Sequence, residues 1–213
     1  MSIAKGQFIK GLLKIWKVDD KDQCVNSDVI VALSYAVKKD SLTDGTRETL
    51  KTAIEYVKRF PSALLVFANS SHCFLGSEKT EERFKLEMTY QAEIPRSSVI
   101  SCGPIINTVT EAEAICRTLQ RLEKQPKNIL IITGTMHSRG ARYIWSKMLK
   151  KYFPGAKLSV AVIPFEYEYQ NDHPLVFQRG PIRWIFANIG RQLALRCLGV
   201  TITGKLHEPS TLD

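Results

Sequence analysis

Five short apolar runs, DVIVALSYA (28–36), ALLVFANSS (63–71), SSVIS (97–101), NILIITGT (128–135) and KLSVAVIPF (157–165), alternate with segments whose apolar residues recur at helical spacing. That alternation constrains the fold more than any other feature of the chain. Runs of Val, Ile and Leu too short for helices, and too continuous to keep one face in water, read as strands buried on both sides. A strand–helix–strand succession lays each new strand parallel to the last through a right-handed crossover, so helices come to cover both faces. The expectation is an α/β fold, a doubly wound three-layer sandwich around a mostly parallel sheet of five strands or slightly more. It forms a single domain over 1–213, with its core over about 28–165.

The intervening segments carry their own start and stop signals. In TRETLKTAIEYVKRF, Leu50, Ala53, Ile54 and Val57 share one helical face, Thr43 or Asp44 can cap the start, and Pro61 ends it. EKTEERFKLEMTYQ (78–91) is a second helix, and NTVTEAEAICRTLQRL a third that opens at Asn107 or Thr108. There Thr108/Glu111 and Thr110/Glu113 both have capping-box spacing. A fourth helix from about His137 to Tyr152 turns Ala141, Ile144, Trp145, Met148 and Tyr152 to one side. Two basic amphipathic segments flank the core, an N-terminal helix over 3–17 and a C-terminal helix over 180–198. Each either closes the sheet's edges or faces, or lies on an anionic membrane surface.

Charge narrows the partners. Lys and Arg outnumber Asp and Glu by 30 to 21, and the net +9 favours anionic partners through the field of the whole molecule. No aromatic RNA-binding pattern and no zinc-finger spacing accompanies it, so a small anionic ligand is expected and nucleic acid is not. The five cysteines are scattered and never form a C-x-x-C pair, which points to a reducing, cytoplasmic setting, with peripheral membrane contact as the alternative. The sequence names neither a cofactor nor an oligomeric state.

In an open parallel sheet, ligands bind beyond the carboxyl ends of the strands, where helix N-termini point their N–H groups at the crevice. Those ends carry Ser34, then Asn69, Ser70, Ser71 and His72, then Cys102, Asn107, Thr108 and Glu111, then Thr133, Thr135, His137 and Arg139, and finally Glu166, Asp172, His173 and Arg179. Small hydroxyls and amides beside arginines suit an anionic group, because they donate hydrogen bonds without bulk and add charge. The same residue types also serve as plain helix caps and turn formers. His137 stands at the first turn of a helix, where an imidazolium would oppose the dipole, so a neutral ring able to move a proton is expected. Glu111 is its candidate catalytic partner. The histidines lack metal-binding spacing, so no metal site is expected, and Cys73 and Cys102 read as inert buried thiols before they read as nucleophiles.

The order DVIVALS, an Arg about a dozen residues on, a second strand ending in Ser, GPIINTVTEAEA and ITGTMHSRGAR resembles the ElyC/SanA/YdcF family over about residues 28–165. The resemblance implies a Rossmann-type domain and a link to bacterial envelope or peptidoglycan precursor metabolism. It maps the family's polar positions onto Arg47, Glu81, Asn107, Thr108, Glu111, Thr133, His137 and Arg139. This chain departs from the family in having Ser34 in place of a Gly, Asn69, Ser70 and Ser71 in place of Ser-Gly-Gly, and Gly140 where a second Arg is frequent, leaving Arg142 to substitute. Many relatives carry N-terminal membrane spans. This chain shows none, so membrane contact would be peripheral.

Two functions of different class follow as expectations. One is an enzyme acting on a phosphorylated or nucleotide-like small molecule, with His137 and Glu111 moving protons and Ser34, Arg47, Asn69, Ser70, Asn107, Thr108, Thr133, Arg139 and Arg142 binding the ligand. The other is a noncatalytic ligand-binding or regulatory module, peripherally associated with the membrane, that uses the same crevice.

Overall fold

The computed structural model describes residues 3–20, 26–70, 80–195, 200–201 and 204–205. Ser71, His72, Cys73, Cys24 and Cys197 lie outside them. Strands β1 (Val29–Ala32), β2 (Leu64–Ser70), β3 (Val99–Ile105), β4 (Asn128–Gly134) and β5 (Lys157–Ile163) form one sheet in the order β3-β2-β1-β4-β5. All its pairings are parallel, with Val31 between Val66 of β2 and Ile131 of β4. Helices α1 (Ile3–Trp16), α2 (Asp44–Arg59), α3 (Glu81–Gln91), α4 (Thr108–Arg121), α5 (Ser138–Tyr152) and α6 (Pro181–Leu193) surround it. A separate antiparallel pair joins Val200–Thr201 to Gly204–Lys205.

The two-residue period of β1 divides the core. Val29, Val31 and Leu33 face Ala112, Ile115 and Leu119 of α4 and Ile144 and Trp145 of α5. Ile30 and Ala32 face Leu50, Ala53, Ile54 and Val57 of α2, with Phe84 and Met88 of α3 packed against them. Both faces of the sheet are therefore covered, which is the doubly wound three-layer arrangement, and each large side chain so buried stabilises the fold by roughly 1.5–3 kcal/mol. A third cluster joins α1 to α6 through Ile9, Leu12, Leu13 and Trp16 against Trp184, Ile185 and Ile189. Among the described residues no helix is long and apolar enough to cross a membrane.

Local chemistry explains where the elements differ from the sequence pattern. β1 ends at Ala32, not at Ala36, and Ala36 takes a left-handed φ of 84° that an extended strand does not contain. Its carbonyl is fixed by the hydroxyls of Thr43 and Thr46, at 3.0 and 2.9 Å. β3 runs on to Ile105 through Pro104, which an edge strand tolerates. The cap of α4 is Asn107, whose Oδ1 accepts from Val109 N and Thr110 N at 2.8 and 3.0 Å while Thr110 Oγ1 accepts from Asn107 N at 3.0 Å. Neither expected capping glutamate takes part: Glu113 pairs with Arg117 at 3.0 Å, and Glu111 turns inward.

Candidate functional site

The strand order reverses between β1 and β4, and a crevice opens beyond their carboxyl ends. A cavity of about 290 Å³ lies there. Ser34 and Tyr35 enter it from the end of β1, Asn107 and Thr108 from the start of α4, and His137 from the start of α5. Helix α6 closes the opposite side with Trp184, Asn188, Arg191 and Gln192, and Ile105, Ile144, Phe177 and Leu195 supply apolar wall.

A buried polar chain runs from the cavity wall into the sheet's end. Lys85, fully buried, donates from Nζ to Ser34 Oγ at 2.5 Å and to Ala68 O at 2.6 Å, and pairs with Glu81 Oε1 at 2.9 Å. Glu81 Oε2 accepts from Ser70 N, and Ser34 N donates to Glu111 Oε1 at 3.1 Å. Burial pushes the Glu111 carboxyl up to about 8, against the pull of Lys85 and the Ser34 hydrogen bonds. At neutral pH it carries a proton.

The turn from β4 into α5, where the sequence points to an anion, already holds a carboxyl group of the chain itself. Glu168, in a 3₁₀ turn after β5 (Phe165–Glu168), accepts from Met136 N at 2.9 Å and from Trp184 Nε1 at 2.8 Å. The backbone N–H groups of Thr135 and His137 point to it as well, and its burial still raises it to about 8. Gly134 makes room: a Cβ there would stand 2.3 Å from the Glu168 carboxyl.

His137 is half-buried at the N-cap position of α5, with Nε2 2.9 Å from Thr108 Oγ1. Tyr35 meets the ring edge-on at 5.9 Å, and Trp184 stacks at 6.5 Å. Burial and then the nearby Arg191 lower its pKa to about 4, so the imidazole is neutral in the physiological range. Arg191 lies over the Phe177 ring at 4.3 Å and the Trp184 ring at 5.5 Å. No carboxylate among the described residues pairs with it. Burial depresses even this guanidinium to about 10. Gln192 beside it is buried, and its Oε1 finds no partner among the described residues.

Of the residues singled out from sequence, Ser34, Ser70, Asn107, Thr108, Glu111 and His137 share this cavity. The other five are not in its wall. Arg139 donates to the carbonyls of Trp16 and Ile15, both at 2.7 Å, and clasps the end of α1. Arg142 pairs with Asp20 at 2.8 Å, and Arg47 with Asp44 at 3.2 Å on the surface of α2. Thr133 is buried against the Tyr35 hydroxyl at 3.1 Å, and Asn69 ties β2 to Ser101 and Cys102 of β3 at 2.9 Å. The cation of the cavity is Arg191, which in the sequence is one of several arginines on the basic amphipathic C-terminal helix. Its signal was the spacing of Asn188, Arg191 and Gln192 at i, i+3 and i+4, a polar stripe beside Trp184.

His173 accepts from Leu175 N at 3.1 Å, and no group of three His, Cys, Asp or Glu among the described residues could hold a metal ion. Cys102 is buried, and burial raises its thiol. A scan against protein-family models and a search of curated proteins both find no match to this chain.

These shifts set a pH dependence. Glu111 and Glu168, raised from 4.5 to about 8, keep protons that the unfolded chain releases; their contribution is full below pH 4.5 and is lost as pH rises through 8. His137 and His173, lowered from 6.5 to about 4, act oppositely: their contribution is full above 6.5 and is lost as pH falls through 4. The urea midpoint is therefore expected to be higher near pH 6 than at pH 8.5, where only the carboxyl contribution has gone. A midpoint that rises over that interval would contradict both carboxyl assignments.

Proposed function

We propose that the protein is an enzyme acting on a phosphorylated small molecule with an apolar or aromatic body. Arg191 holds the anion, the apolar wall takes the body, and His137 and Glu111 move protons. The observation that carries this reading is a guanidinium in a cavity wall with no carboxylate partner among the described residues, because a charge held there is matched best by an incoming one. A cavity of about 290 Å³ suits one small molecule. Two titratable groups displaced in opposite directions divide the roles: a neutral His137 is ready to accept a proton and a protonated Glu111 to give one.

Thermal shift against a panel of phosphomonoesters, followed by product analysis of each hit, tests this. Arg191→Met is expected to remove the shift, and His137→Ala to keep binding while turnover falls about 10²–10⁴-fold. Undiminished binding by Arg191→Met would sink the reading. Hits that bind and are never converted would leave the noncatalytic module in its place.

A further inference from the structure

We infer that the outer face of α6 docks on an anionic lipid surface. Ile182, Phe186 and Leu193 are 50%, 68% and 60% exposed, and their i, i+4, i+11 spacing puts them within about 40° of one another around the helix. The opposite face is already spent, since Trp184, Asn188 and Gln192 are buried there. The outer stripe therefore has no place in the protein's own core, and three large apolar side chains in line are more than scattered surface hydrophobics.

Charge selects the occupant. Helices α1 and α6, joined in one apolar cluster, contain no Asp or Glu, and the chain as a whole carries a net charge of +9. Arg183 is exposed beside the stripe, and Val176, in the turn leading to α6, is 59% exposed. An apolar stripe with Arg183 beside it, on a helix without carboxylates in a strongly basic chain, matches anionic headgroups over an acyl boundary, with the helix lying in the interface plane. A second copy fits less well, because a two-fold contact sets a face against itself and would bring like charges together.

Cosedimentation of the full chain with phosphatidylcholine vesicles containing roughly one third phosphatidylglycerol, at low salt, tests the inference. Binding is expected there, with little on pure phosphatidylcholine. The Phe186→Ser/Leu193→Ser variant is expected to bind about tenfold less, and Arg183→Glu to bind less and with a shallower salt dependence. All three positions are exposed, so the variants should keep the wild-type unfolding midpoint. No binding to the anionic vesicles overturns the inference, and so does binding that the double variant leaves intact. Concentration-dependent self-association that the double variant abolishes, without vesicle binding, would assign the face to a second copy instead.

Discussion

Lys85→Ala is expected to cost about 3–5 kcal/mol of folding free energy, among the largest effects of any single substitution in this chain. The ammonium is fully buried and has three polar partners, Ser34 Oγ, Ala68 O and Glu81. Removing it strands the Glu81 carboxylate in the interior and leaves the Ala68 carbonyl without this donor. Lys85→Met separates charge from packing, because it keeps most of the stem; it should be nearly as damaging. Adding Glu81→Gln to Lys85→Met should recover much of the loss, since removing both partners of a buried pair is far cheaper than removing one. Urea denaturation of the three variants checks this, and a loss below about 1 kcal/mol for Lys85→Ala would mean that the pair is not buried as described.

Glu168→Ala is expected to cost about 4 kcal/mol, from unpaired buried donors rather than lost apolar packing. Met136 N and Trp184 Nε1 both donate to that carboxyl. Each buried donor left without a partner costs about 1–3 kcal/mol, and a water entering the space would recover part of it. Gly134→Ala attacks the same contact from the other side, because its Cβ would overlap the Glu168 carboxyl at 2.3 Å. It should cost about 1–3 kcal/mol. If both variants melt with the wild type, the Glu168 carboxyl does not organise the β4–α5 turn.

The sheet was legible in the sequence because buried parallel strands must be continuously apolar and the helices between them must be amphipathic. Five runs and their spacing were enough for the layers. The meeting of His137, Asn107, Thr108, Glu111 and Ser34 was legible too, since strand ends of one parallel sheet converge whatever the loops do. The arginines were not. Arg139, Arg142 and Arg47 sit near strand ends, yet each is taken by a carbonyl or carboxylate that the sequence gives no means to assign: the end of α1, Asp20 and Asp44. Arg191 lies far down the chain, on a helix whose docking is tertiary. Glu168 was hidden for the same reason, as a glutamate in a short turn after β5 that the fold carries to the N-terminus of α5. Among the apolar residues of α6, Ile185 is buried while Phe186 and Leu193 are exposed, because the helix gives its polar stripe to the cavity.

The proposed anion site is tested most directly by a crystal structure with phenyl phosphate, which joins one anion to one apolar ring. The phosphate is expected within hydrogen-bond distance of the Arg191 guanidinium, with the phenyl ring against the apolar wall near Phe177. A phosphate bound instead at Arg139 and the first turn of α5, with Glu168 displaced, would contradict the assignment of Arg191 as the cation of the site.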